Sequence, residues 1–316
     1  MVSIKLPNSI VVQGSRVYSR VAMSENAHAV TVPSPRYEEP PAVLYKYTGA
    51  ARVDVLVKCK IAFSLLRSLN DVYEERLHEL APAAPQMTQQ EVEDVGREIA
   101  KLWSGRSIAK NVMRIIGGAA TNWLHGTSRP QRAPAQWLFD LYDEIEKSVG
   151  VLSLGERPDD LLMWSHYAEQ YRGLVLGLRT SKLCPPKGSG PFFNRPRPVM
   201  YCGTKPPRDI VALDPKRLFM LKSAEWHYEP EWRVLRDFLP SDELKDTAGA
   251  RLGVALCRIP PEAIDCVYIG PRADPKQLAA VRKALNSGLF KKVRVYQGHV
   301  SKARFAIDFR RVTTLP

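Results

Sequence analysis

The 316 residues hold five cysteines, Cys59, Cys184, Cys202, Cys257 and Cys266, widely spaced and with no Cys-x-x-Cys pair. A disulfide framework and a cysteine zinc site are both excluded. No His-Glu-x-x-His or other metal-ligand spacing occurs, and Gly117-Gly118 follows neither phosphate-loop nor dinucleotide-loop spacing, so no tightly bound metal is expected. No uncharged apolar run approaches the roughly 18 residues of a spanning helix, and Met1–Lys5 lacks the layout of a secretory leader. The expectation is a cytoplasmic chain with no membrane contact. Acidic residues are scarce toward the end: from Gly270 onward 11 Lys/Arg face two Asp/Glu, and the whole chain carries +13. Such an excess points to an anionic partner, nucleic acid or a phosphorylated cofactor, although a basic surface also serves solubility alone. Composition at 45% hydrophobic and 25% charged is that of a globular chain with a sizeable core.

Residues 1–41 read as an N-terminal arm able to pair one strand (Ile10–Val12, Val17–Tyr18) before Pro33, Pro35, Pro40 and Pro41 break it. Residues 42–316 read as one α+β domain, a mixed sheet core with helices and a helical insertion at about 81–148. Val43–Tyr47, Val53–Val57 and Lys60–Leu66 are expected strands. Thr88 and Glu91 have capping-box spacing for a helix in the insertion. Asp159 or Asp160 caps a helix with Leu161, Trp164, Ala168 and Tyr171 on one stripe, ended by Gly173. Prolines between Pro185 and Pro207 leave room for one short strand, Val199–Tyr201. Ile264–Ile269, a helix opened by Asp274-Pro275, and Val293–Tyr296 form a C-terminal β-α-β unit.

Three constellations stand out. Read as extended backbone, Glu225–Val234 alternates, with Trp226, Tyr228, Trp232 and Val234 on one side and His227, Glu229, Glu231 and Arg233 on the other. Neighbouring carboxylates of that kind shift one another's pKa and divide proton handling from cation stabilisation. An exposed edge whose Glu and Arg pair in solvent is the competing reading. The second is Leu162–Ala168, where His166 sits between helix faces as a candidate acid or base, a lone histidine on an amphipathic helix being more often a satisfied structural residue. The third joins Tyr45-Lys46-Tyr47 and Phe63-Ser64 to the Asn70-Asp71 turn; a lysine between tyrosines suits a phosphate beside a stacking ring or a mere rim charge.

These segments resemble a bacterial family, the domain of unknown function 2971 proteins. The resemblance is carried by Leu44–Tyr47, Ser68–Glu74, Val151–Leu154, Met163–Ala168, Gly173, Lys222 and Trp226–Arg233, and covers about residues 43–298. The family's usual Phe-Asn-Asp-Pro-Phe-Glu is here Leu69-Asn70-Asp71-Val72-Tyr73-Glu74, and Ser153-Leu154-Gly155-Glu156 replaces Ser-Leu-Ser. The resemblance implies unassigned biochemistry in a phage or mobile-element defence setting. The order of segments is also similar to the ADP-ribosyltransferase layout, with Tyr45-Lys46-Tyr47 on a first strand, Ser64 on a second and Glu229-Pro230-Glu231 on a late one. That similarity implies NAD as substrate, Glu231 stabilising the ribosyl cation and Glu229 orienting the acceptor. It further implies rings from Tyr47, Trp164 or Tyr167 on nicotinamide, and Lys46 or Arg233 at the pyrophosphate. The family's usual first-strand Arg or His is replaced, with Lys46 the nearest substitute. The alternatives are a nucleic-acid binder or nuclease using Lys291, Lys292 and Arg294, and a non-catalytic, antitoxin-like partner protein. Oligomeric state is not legible.

Overall fold

The computed structural model describes residues 9–13, 16–20, 31–33, 39–65, 68–71, 73, 149–183, 195–203, 219–237, 243–246, 253–286, 290 and 293–312. In chain order the strands are β1 (Ser9–Gln13), β2 (Arg16–Arg20), β3 (Thr31–Pro33), β4 (Val43–Thr48), β5 (Lys60–Leu65), β6 (Val149–Gly155), β7 (Leu174–Arg179) and β8 (Arg197–Pro198). They continue as β9 (Met200–Cys202), β10 (Leu221–Ser223), β11 (Glu231–Asp237), β12 (Glu243–Asp246), β13 (Gly253–Arg258), β14 (Ile264–Ile269), β15 (Arg294–Val300) and β16 (Ile307–Val312). Among the described residues the α-helices are α1 (Asp54–Lys58), α2 (Leu161–Tyr167) and α3 (Pro275–Leu285). This is an α+β chain built on a mixed sheet. The expected insertion at 81–148, the Thr88–Glu91 box, Glu74, Cys184, Lys291 and Lys292 lie outside the described residues.

Two compact units divide the chain, one from Met1–Glu38, Leu69–Lys147 and Val199–Tyr228, the other from Glu39–Ser68, Ser148–Pro198 and Glu229–Pro316. In the first, β1, β2 and β3 make an antiparallel sheet, so the N-terminal segment pairs more than the single strand expected of it. β9 and β10 pair in parallel in the same unit, with Lys222 buried and its ammonium 5.1 Å from the Trp226 ring.

The second unit is organised by one large sheet in the order β12-β13-β5-β6-β4-β7-β14-β15-β16, with β11 along β6 and β8 beside β11. Among the described residues of this sheet only the β14–β15 pair is parallel, and α3 makes the crossover that a parallel pair requires, as expected for the C-terminal β-α-β unit. Asp274 caps α3 by accepting from Gln277 N at 2.7 Å, and Pro275 follows it where the missing N–H is harmless.

Alternation sorts the strands' residues onto two faces. Directly opposed residues of antiparallel strands share a face, so Leu44, Leu176, Leu178, Val267, Leu152, Trp232 and Val234 fall together with Ile61 and Phe63 in the main core. Val53, Val55 and Leu56 of the first helical turns, and Val281 and Ala284 of α3, pack into the same core. The other face carries Tyr47, Val175 and Tyr268, with Trp164 and Ala168 from α2 and its C-terminal cap packed on them.

Two expectations fail here for local reasons. Val53–Val57 is helical where a strand was expected: the adjacent Val55 and Leu56 are both buried, and Asp54 pairs with Lys58 one turn on at 3.8 Å, which is helical spacing. Glu225–Val234 is not one extended run. Ser223 caps a 3-10 turn over Ala224–Trp226, His227 N donates to Ala224 O at 3.0 Å, and the strand starts only at Glu231, after Pro230.

Candidate functional site

The Gly155 row of the sheet brings the candidates together. Tyr45 and Glu231 are both opposed to Gly155, from β4 and β11, and Arg233 is opposed to Ser153. Glu231, Arg233, Tyr45 and, two residues on, Tyr47 therefore share the tyrosine face. Lys46 takes the opposite face by the same alternation, which corrects the reading of Tyr45-Lys46-Tyr47 as one cluster. Its ammonium donates to Ser153 O at 3.2 Å, on a stretch of β6 between the segments paired by β5 and by β4. Lost hydration pushes Lys46 down to about 8, against the attraction of Glu231 and with the Arg52 charge adding to the drop.

Glu229 and Glu231 flank Pro230, and both are buried. Their partners differ. Glu231 accepts from Arg233 Nε at 2.8 Å and from a terminal guanidinium nitrogen at 3.3 Å, a two-pronged pair with both side chains buried. Glu229 accepts from the Tyr167 phenol at 2.8 Å. The sequence expected the two carboxylates on one face of one strand; the turn before β11 instead gives each its own surroundings.

Tyr167 is positioned by α2. Asp160 caps that helix through Leu162 N at 3.0 Å and Met163 N at 3.2 Å. The loop into it is tied to the sheet: Tyr47 donates to Arg157 O at 2.7 Å and accepts from Asp160 N at 3.3 Å, while the Trp164 indole donates to Pro158 O at 2.7 Å. Trp164 is 0% exposed and works as core, with no ring face open to a ligand. Tyr47 is likewise buried, and lost hydration raises its phenol well above the ordinary range. After α2, Glu169, Gln170 and Tyr171 are all left-handed, with φ of 49°, 50° and 72°. Backbone bonds hold this turn, Tyr171 N to Trp164 O at 3.2 Å and Gly173 N to Ala168 O at 2.8 Å. Gly173 is needed because a Cβ there would lie 2.1 Å from Thr48 O.

Of the remaining candidates, His166 is exposed in the last turn of α2, its ring 6.2 Å from that of Tyr167. Ser64 is half-buried on β5, opposed to Val151. Arg294 is bound to Asp265, as is Arg179 at 2.6 Å. Burial alone would raise Asp265, but the Arg294 hydrogen bond and the charges of Arg294 and Arg179 hold it below the ordinary carboxylate range.

The Asp265 cluster was missed in the sequence. A β-bulge between Ile264 and Cys266 sets Asp265 and Cys266 together against Gly177, whose absent side chain makes room: a Cβ there would be 2.3 Å from Cys266 Sγ. Lost hydration, then the Asp265 charge, push the Cys266 thiol up to about 11. The Tyr268 ring stacks on Tyr296 at 4.8 Å and meets Tyr45 edge-on at 6.0 Å. Only the strand alternation of Tyr45, Tyr268 and Tyr296 could have signalled this tyrosine row. On the aliphatic face, Phe63, Leu152, Val234, Arg236, Arg258 and Pro260 line a crevice of about 340 Å³, its open mouth included.

No cluster of His, Cys, Asp or Glu able to hold a metal occurs among the described residues. No helix among them is long and apolar enough to cross a membrane. No curated protein and no solved structure matches the chain. Residues 163–234, from Met163 of α2 to Val234 of β11, match the model of a family described as Protein of unknown function (DUF2971).

Proposed function

We propose that the Tyr167–Glu229 and Glu231–Arg233 pairs are the catalytic end of an NAD-consuming, ADP-ribosyltransferase-like site, in the defence setting that the family resemblance implies. The observation that carries the reading is the placement of two buried carboxylates on either side of Pro230, Glu231 gripped by the Arg233 guanidinium and Glu229 accepting from the Tyr167 phenol. The Arg233 fork holds the Glu231 carboxylate in a fixed position. As the nicotinamide glycosidic bond breaks, its electron pair leaves with the ring nitrogen and positive charge builds on the ribose. A fixed carboxylate stabilises that charge more in the transition state than in the ground state. Glu229 takes the proton of the acceptor whose oxygen forms the new bond, and Tyr167 keeps Glu229 oriented. The half-buried rings of Tyr45 and Tyr167, on the side of the carboxylates, suit nicotinamide stacking; Trp164 and Tyr47 are assigned to the core. Lys46, on the opposite face, is not assigned to the pyrophosphate.

The test is nicotinamide release from labelled NAD by the full chain, with RNA, DNA and protein acceptors. Glu229→Gln is expected to lower turnover by about 10²-fold or more while the thermal melt stays within a few degrees. Wild-type turnover in a folded Glu229→Gln chain would remove the reading.

A further inference from the structure

The β15–β16 margin has features that neither the core nor the proposed site uses. β16 ends the large sheet, pairing β15 alone among the described residues. Between Arg294 and Val312 the chain has five Lys/Arg and a single acidic residue, Asp308. Arg294 is taken by Asp265, and Arg304 makes an exposed pair with Asp308 at 3.1 Å, a contact too solvated to neutralise the surface. Lys302, Arg310 and Arg311 are exposed as well.

Charges alone have a plain explanation, since exposed edge strands carry them to discourage pairing with another chain. That explanation does not extend to the aromatics. Phe305 is 102% exposed at the hairpin tip, between Arg304 and the start of β16, and Val300 beside it is 73% exposed. At the other end of the hairpin Arg311 is directly opposed to Tyr296, which is half-buried and stacked on Tyr268. A ring beside a cation thus occurs at both ends of β16, at Phe305 in the bend before Ile307 and at Arg311 near the strand's end.

We infer that this margin is a contact surface for single-stranded nucleic acid. The cations track the phosphate backbone and Phe305 stacks on an unpaired base, a combination in which every base offers a ring face and sequence matters little. A duplex hides its base faces within the stack, so the exposed phenyl favours the single strand. The inference is independent of NAD turnover, because the hairpin shares no residue with the Glu229–Glu231 site.

The experiment is fluorescence anisotropy of a labelled 15-nucleotide thymidine oligomer with the full chain, at 50 and 200 mM salt. Controls are the same length of RNA, a duplex, and vesicles containing anionic lipid. Affinity is expected to fall steeply with salt and to favour either single strand over the duplex. Phe305→Ala should weaken binding by about 5- to 100-fold, the value of one stacked base. Arg310→Glu with Arg311→Glu should flatten the salt dependence. Both variants change exposed side chains, and an unchanged thermal melt verifies that they fold. Oligomer binding that Phe305→Ala leaves at the wild-type level would overturn the inference. So would equal affinity for the duplex, or vesicle binding lost in Phe305→Ala without any oligomer retention, which would mark a membrane contact instead.

Discussion

The same strands of the large sheet present two different chemistries. Leu44, Leu176, Val267, Leu152, Trp232 and Val234 build an aliphatic face closed by α1 and α3. One residue along each strand, Tyr45, Tyr47, Tyr268, Glu231 and Arg233 belong to the other face, where α2 covers only part of the surface. The aliphatic face, apart from the crevice at Arg236 and Arg258, stabilises chiefly through area removed from solvent. The tyrosine face holds buried charge, which stabilises only as long as each group keeps its partner. Function is therefore expected where loss of one partner changes chemistry, and stability where loss of volume changes packing.

The sharpest way to break that contrast is Arg233→Met, which leaves the buried Glu231 carboxylate without its guanidinium. Denaturant unfolding should show a loss of about 3–5 kcal/mol, and adding Glu231→Leu should recover most of it, because a matched apolar pair replaces a buried ion pair at little cost. Failure of the double variant to recover would mean that the pair does more than satisfy itself. Next comes Leu176→Ala, a cavity on the aliphatic face expected to cost about 2–5 kcal/mol in the same measurement, with NAD turnover per folded molecule unchanged.

Lys46 sharpens the comparison through pH. Its folded pKa is depressed to about 8, so above that value the folded protein sheds a proton that the unfolded chain still binds. Stability from this group is consequently lowest below about pH 8 and rises as pH climbs from there toward the ordinary lysine range. Thermal melts of wild type and Lys46→Met across that window should show the rise in the first and its loss in the second. The smallest effect on folding belongs to Tyr167→Phe, about 1 kcal/mol for one hydrogen bond, visible as a slight shift in the unfolding midpoint.

Much of this fold could be read from local pattern. Alternation located β4, β5 and β14, and Asp160 and Asp274 announced the starts of α2 and α3, because caps and strand periods are written within a few residues. Val53–Val57 misled because five apolar-rich residues fit either a strand or a turn of helix; only the burial of both adjacent Val55 and Leu56 with exposure of Val57 departs from one-faced strand alternation. The carboxylates were legible as residues but not in their arrangement. Ser223 and Pro230 turn the chain before β11, so Glu229 reaches Tyr167 on α2, 62 residues away, a partnership no spacing records. Asp265 was silent for the same reason: a one-residue bulge opposite Gly177 brings it to Arg179 and Arg294.

The most direct measurement is single-turnover nicotinamide release by Tyr167→Phe and Leu176→Ala side by side, each normalised to folded protein. Tyr167→Phe, on the tyrosine face, should be nearly as stable as wild type yet slowed by about tenfold or more, while Leu176→Ala is markedly less stable yet reacts at the wild-type rate. Equal rates in Tyr167→Phe and wild type, or a slowed Leu176→Ala with Tyr167→Phe unaffected, would contradict the assignment of chemistry to the tyrosine face.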